Sequence, residues 1–240
     1  MVLELYLDLF SQPCRSVYIF AKKTNIDFDF KKVVLFQGQQ YEEDFGKINL
    51  LRKVPALRHD DFTLAESTAI LAYLAQKFNT ADHWYPADVR KRARVNEYLA
   101  WQHSTIRPHG SKIFWFKVII PTLSDNSIPK EKMDSAMEDL ETSLQLFEEK
   151  FLQDKPFIVG DQISLADLVA IVEMMQPVGS GVDIFASRPK LSAWRDRVIE
   201  EIGKDLFDEA HYNLLNIKDI PQTLEKAGKL DFLKAKIAKM

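Results

Sequence analysis

Residues 2–24, VLELYLDLFSQPCRSVYIFAKKT, decide the fold. Leu3, Leu5, Leu7 and Leu9 alternate with Glu4, Tyr6 and Asp8, the period of a strand that packs one face on a core. The spacing predicts a strand ending near Phe10 and a helix running to about Lys23. Pro13 suits the first helical turn, where its missing N–H has no intrahelical partner, and Ser11 or Gln12 falls at the N-cap. A strand that enters a helix through S-x-P-C gathers free backbone N–H groups, the positive end of the helix dipole and a serine hydroxyl at one point. Such a point suits an anion, including a thiolate.

The pattern continues outward. Residues 28–35 read as a second apolar run, and residues 41–48 as a short helix after the turn at Gln37-Gly38. In Lys53-Val54-Pro55-Ala56-Leu57 the proline cannot donate to a ladder, so Val54 must be extended, with backbone groups open to a ligand. Phe62 and Leu64 close a hairpin after Asp60-Asp61. Glu66-Ser67-Thr68 then opens a helix with the apolar stripe Ala69, Ile70, Tyr73, Leu74 and Phe78. The order βαβαββα implies a small mixed sheet flanked by helices. Residues 79–88, NTADHWYPAD, break the periodicity as a linker would.

Everything beyond the linker reads as helix. Residues 90–120 carry Val95, Leu99, Gln102 and Ile106 on one face, with Pro108 as a kink or break. Residues 129–152 space Met133, Met137, Leu140, Leu144, Phe147 and Phe151 by fours and threes. Ser164 and Asp167 form a capping box before LADLVAIVEMM, which is apolar nearly all round and so a central buried helix that Pro177-Val178-Gly179 ends. Further helices fall at about 189–202 and 205–217.

Composition limits the function. The chain has 240 residues, comfortable for two domains, and its 46% hydrophobic content supports a full core. With 32 Lys+Arg against 35 Asp+Glu the net charge is −3, which gives no general attraction to nucleic acid or an anionic membrane. Glu4 and Asp8 replace the basic region of a targeting signal, and Lys117 and Pro121 interrupt the most apolar later segment, so a soluble cytoplasmic protein is expected. The single cysteine, Cys14, excludes an internal disulfide and a cysteine-cluster metal site.

LYLDLFSQPCRSVYIFAKK, KVPAL, ESTAILAYL, WYPAD, EYLAWQH and ISLADL together resemble a theta-class glutathione transferase over essentially the whole chain. The resemblance implies the cytosolic glutathione transferase fold: an α/β thioredoxin-like N-terminal domain at 1–78, a linker at 79–87 and an all-α domain at 88–240. It also implies a homodimer, a cis Pro55, and glutathione as co-substrate with no cofactor or metal. The expected reaction joins glutathione to small hydrophobic electrophiles, with displacement of halide or sulfate and reduction of hydroperoxides in the range of theta-like enzymes.

The residues fit glutathione group by group. A free thiol near pKa 8.5 is only a few per cent thiolate at neutral pH, and lowering it by roughly two units takes about 2.7 kcal/mol, within reach of one charge-assisted hydrogen bond plus a helix dipole. Ser11 is the donor implied, although taken alone it reads as an N-cap. No Gly-x-Ser-x-Gly elbow marks it as an attacking serine. Glu66 and Ser67 suit the γ-glutamyl ammonium and carboxylate, Val54 the cysteinyl backbone and Lys53 the glycine carboxylate. Gln40 stands where the family usually has histidine, so it donates a hydrogen bond without charge. Arg107 matches a family arginine that reaches the thiolate from the helical domain.

A non-catalytic binder of glutathione or hydrophobic ligands on the same fold is the alternative, opposed by Ser11, Val54, Pro55, Glu66 and Ser67 standing together. A thiol–disulfide oxidoreductase fails because Ser11 occupies the attacking cysteine's place and Cys14 the protected one. Finally, Leu230, Leu233, Ile237 and Met240 form an apolar stripe in residues 219–240. The resemblance implies that this extension covers the active-site mouth as a lid, with Lys234 expected near its outer face.

Overall fold

The computed structural model describes residues 2–123 and 128–217. Its N-terminal part is a four-stranded sheet in the order β2-β1-β3-β4, built from β1 (Leu3–Leu7), β2 (Asp29–Lys32), β3 (Ala56–His59) and β4 (Phe62–Ala65). β1 runs parallel to β2, with Glu4 opposite Asp29, and antiparallel to β3, with Leu3 opposite His59. The β3–β4 hairpin turns at Asp60, which takes φ 56°, a left-handed conformation that aspartate tolerates.

The alternation in β1 sorts the two faces. Leu3, Leu5 and Leu7 are buried in one core cluster with Val17, Ile19 and Phe20 of α1 (Gln12–Lys23) and Ile70, Leu71 and Leu74 of α3 (Ser67–Lys77). Tyr6 points the other way and meets Phe45 of α2 (Glu43–Ile48) edge-on at 6.1 Å, in a small cluster with Val33 and Ala56. β1 stops at Leu7, earlier than the pattern of leucines predicts, because Asp8 turns the chain. Its Oδ1 accepts from Phe10 N at 3.0 Å and its Oδ2 from Leu35 N at 2.9 Å. The second strand is likewise shorter than the run at 28–35, and its residues are mostly exposed.

The helical part begins with α4 (Val89–Trp101), N-capped by Asp88, whose carboxylate accepts from Lys91 N at 2.8 Å. The expected break at Pro108 falls earlier, at residues 102–105, and α5 restarts at Ile106 (Ile106–Phe114). Pro108 therefore sits in a first turn, where a missing N–H costs no helical bond. A π-helical turn (Trp115–Ile119) and α6 (Ile120–Leu123) follow, then α7 (Lys130–Leu146) with its own π turn at Phe147–Leu152.

α8 (Leu165–Gly179) is the axis of this domain, buried from Leu165 through Pro177. Asp167 anchors its start: Oδ2 accepts from Ser164 N at 3.0 Å and Ser164 Oγ at 2.9 Å, and Oδ1 from Ile158 N at 2.9 Å. Pro177 does not end the helix; it lies inside the last turn, and its ring packs on α5. A Cβ at Gly110 would stand 3.2 Å from Pro177 Cδ, so the glycine is what lets α5 cross α8 this closely. α9 (Pro189–Ile202) and α10 (Lys204–Leu215) complete the domain, with α10 against α1. Among the described residues no helix is long and apolar enough to cross a membrane.

Candidate active site

Ser11 is the N-cap residue of α1, at φ −82° and ψ 124°, yet its hydroxyl caps no backbone N–H. The turn holds it by other means. Ser11 N donates to Asp8 O at 2.9 Å, and the buried Arg15 donates from Nη1 to Leu9 O at 2.8 Å and Phe10 O at 3.1 Å. Arg15 Nη2 reaches across to Gln176 Oε1 of α8 at 2.7 Å, tying the turn to the helical domain. Burial lowers the Arg15 guanidinium to about 10, so it stays charged at neutral pH.

Cys14, one turn into α1, is fully buried with its sulfur against the Ser11 hydroxyl and the Asp8 backbone; burial pushes its thiol up to about 12. A thiol so poor in thiolate is no nucleophile.

Ser11 opens onto a cavity of about 350 Å³ between the two domains. Gln40, Lys53 and Val54 share its wall with Arg52. Gln40 is buried, and its Oε1 has no hydrogen-bond partner among the described residues. The Val54–Pro55 bond is cis, and strand pairing begins at Ala56, so the Val54 backbone lies outside the ladder. Asn49 shapes this loop by accepting from Leu51 N at 3.0 Å and donating to Lys53 O at 2.8 Å. Arg52 clamps it from the other side, donating from Nη1 to Tyr41 O and Glu42 O at 2.7 and 2.6 Å. Its apolar lining is Phe10, Leu35 and Phe36 from the sheet domain, and Phe114, Trp115 and Ile119 from α5 and its π turn. Gln12 Nε2 donates to Ser111 Oγ at 2.6 Å across the domain boundary.

The remaining predicted residues lie outside that wall. Glu66 sits before α3 at φ 68° and ψ 113°, a sparsely populated conformation for a residue with a side chain, and its carboxylate makes no cap bond. Ser67 is buried at the first position of α3. Arg107, on α5, is held by buried Glu173, whose Oε1 lies 2.8 Å from both Nε and Nη2. Its Nη1 lies 3.2 Å from His103 Nδ1. Burial first, then Arg107, hold His103 below the ordinary histidine range, while the Glu66 charge pulls the other way. Lys234 and the 219–240 extension lie outside the described residues.

Asp8, Arg15, Asn49 and Glu173 escaped the sequence reading. The one signal available was Glu173, a charge inside an otherwise apolar helix, which must be paired if that helix is buried.

The family model for glutathione S-transferase, N-terminal domain, matches residues 1–76, and that for glutathione S-transferase, C-terminal domain, matches residues 106–201. Glutathione S-transferase theta-1 of Gallus gallus is 56% identical, over 92% of each chain. The solved structure of human glutathione S-transferase T1-1 in its apo form superposes with a TM-score of 0.90 at 49% identity, covering 97% of this chain and 98% of that one. A human theta-class transferase solved with the glutathione conjugate of 1-menaphthyl sulfate gives 0.87 at 46% identity, covering 95% and 91%.

The chain belongs to the theta class of the glutathione S-transferase family. It is an enzyme, a glutathione transferase, and the non-catalytic alternative is not supported.

Proposed function

We propose that glutathione lies along the polar wall of the 350 Å³ cavity with its sulfur at Ser11, and that the electrophile occupies the aromatic end. The supporting observation is Ser11, whose hydroxyl caps no backbone group and which lines the cavity together with Gln40, Lys53 and Val54. In this reading the hydroxyl donates to the thiolate, and the N-terminus of α1 adds favourable potential. Val54 pairs with the cysteinyl backbone, while Lys53 and Gln40 take the glycine end. Glu66 and Ser67 take the γ-glutamyl ammonium and carboxylate, and Arg107 directs positive charge at the sulfur. The strained backbone at Glu66 fits this role, because such conformations persist at ligand clamps.

The finer chemistry follows from a narrow aromatic pocket beside a thiolate. The sulfur forms a bond to an alkyl or benzylic carbon, and halide or sulfate leaves with the electron pair of the broken bond. Hydroperoxide reduction belongs to the same nucleophile. Steady-state assays with alkyl halides, benzylic sulfates and organic hydroperoxides test this, and turnover with at least one of the first two classes is expected. Activity confined to hydroperoxides would overturn the displacement reading.

The protein is further read as a cytoplasmic homodimer of two domains, 1–78 and 88–240. Adjacent Leu50 and Leu51, 85% and 57% exposed, offer apolar surface that a second subunit would cover. Sedimentation analysis checks this.

A further inference from the structure

Glu173 is fully buried, and only part of its carboxylate is satisfied. Oε1 accepts from Nε of Arg107 at 2.8 Å and lies 2.8 Å from its Nη2, whereas among the described residues neither Oε2 nor Nη2 has a hydrogen-bond partner. Burial raises this carboxyl above its ordinary range, opposed by Arg107 and then by Arg15. A buried, half-satisfied carboxylate adds little to stability compared with an apolar side chain of similar size. What it does supply is geometry. The guanidinium is held at Nε by a hydrogen bond to Glu173 and at Nη1 by His103, which fixes a long side chain in one arrangement, while Nη2 is within ion-pair distance of Glu173 but hydrogen-bonded to nothing among the described residues.

The helices are built for this contact. Gly110, one turn beyond Arg107, allows the close α5–α8 crossing, since a Cβ there would stand 3.2 Å from Pro177 Cδ and in contact with Glu173 O. On α8, Gln176 follows Glu173 by three residues and holds Arg15, so consecutive turns of one buried helix restrain an arginine from each domain.

We infer that Glu173 is a positioning residue for the transferase reaction, acting through Arg107 to aim its guanidinium at the glutathione sulfur. This rests on the role given to Arg107 above.

Removing the negative charge separates two explanations by sign. If Glu173 only neutralised Arg107, Glu173→Gln would leave the site more positive and lower the pKa of the bound glutathione thiol. If Glu173 aims Arg107, the same change releases the guanidinium and raises that pKa. The test titrates the ultraviolet absorbance of enzyme-bound glutathione thiolate in the parent, E173Q, Glu173→Asp and Arg107→Ala, alongside kcat and the KM for glutathione. E173Q is expected to raise the thiol pKa by about one unit and cut kcat about tenfold at neutral pH, in the same direction as R107A. E173D, one methylene shorter, is expected to fall between parent and E173Q.

An unchanged or lowered pKa in E173Q, with R107A raising it, would overturn the inference while sparing the role of Arg107. An unchanged pKa in R107A would overturn both. Should E173Q fail to fold by circular dichroism, a parent-like pKa in E173D would itself overturn the inference, and a raised one would support it.

Discussion

Trp194 Nε1 on α9 donates to Asp167 Oδ1 on α8 at 3.0 Å, so one buried carboxylate joins the start of the central helix to the aromatic core of its neighbour. That carboxylate also accepts from Ile158 N, Ser164 N and Ser164 Oγ. Asp167→Ala would strand those donors in a dry site. The expected loss is about 3 kcal/mol in urea unfolding, because each unpaired buried donor costs on the order of 1 kcal/mol or more. A loss under about 1 kcal/mol would mean that α8 holds its start without this cap.

His211 gives acid sensitivity of a defined sign. It is fully buried on α10; Nδ1 bonds Phe207 O at 2.8 Å, and Nε2 has no hydrogen-bond partner among the described residues. Burial lowers its pKa from 6.5 to about 3. The unfolded chain therefore takes up a proton below its ordinary pKa that the folded protein refuses. This contribution to stability is complete above pH 6.5 and is lost as the pH falls toward the folded value. At pH 5 the loss is about 2 kcal/mol. His211→Leu should flatten the stability profile by close to one proton between pH 6.5 and 5, and an unchanged slope would show that other groups set it.

Cys14 is structural. With its side chain buried and its thiol pushed up to about 12, Cys14→Ala should cost about 1 kcal/mol through a small cavity and leave turnover near the parent's. Native protein should likewise resist thiol alkylation at neutral pH. Lost turnover in a folded Cys14→Ala protein that still binds glutathione would make Cys14 the nucleophile.

Local signals carried the legible part of this molecule. Pro13 in a first turn, leucines alternating in β1, and Ser164 before Asp167 each lie within a few residues of what they organise, and each marks an element that forms, although β1 ends at Leu7 and not near Phe10. Arg15 and Gln176 are 161 residues apart and Arg107 and Glu173 are 66 apart, so these pairs exist only once the fold brings their helices together. Asp8 misled for a related reason. In the alternating pattern it reads as an exposed strand residue, but it is buried and ends the strand by binding the Leu35 backbone, 27 residues on. Pro108 drew the helix break to itself, whereas the chain breaks at 102–105 and uses the proline where its lost N–H is harmless.

The central proposal is that the Ser11 hydroxyl stabilises the glutathione thiolate, and its most direct test is the pKa of the thiol bound to the parent enzyme and to Ser11→Ala, read from ultraviolet absorbance against pH. The parent's bound thiol should titrate well below the free value of about 8.5, and that of the folded variant at least about one unit higher, with glutathione affinity largely kept and turnover sharply reduced. The same thiol pKa in both proteins would contradict the role assigned to Ser11.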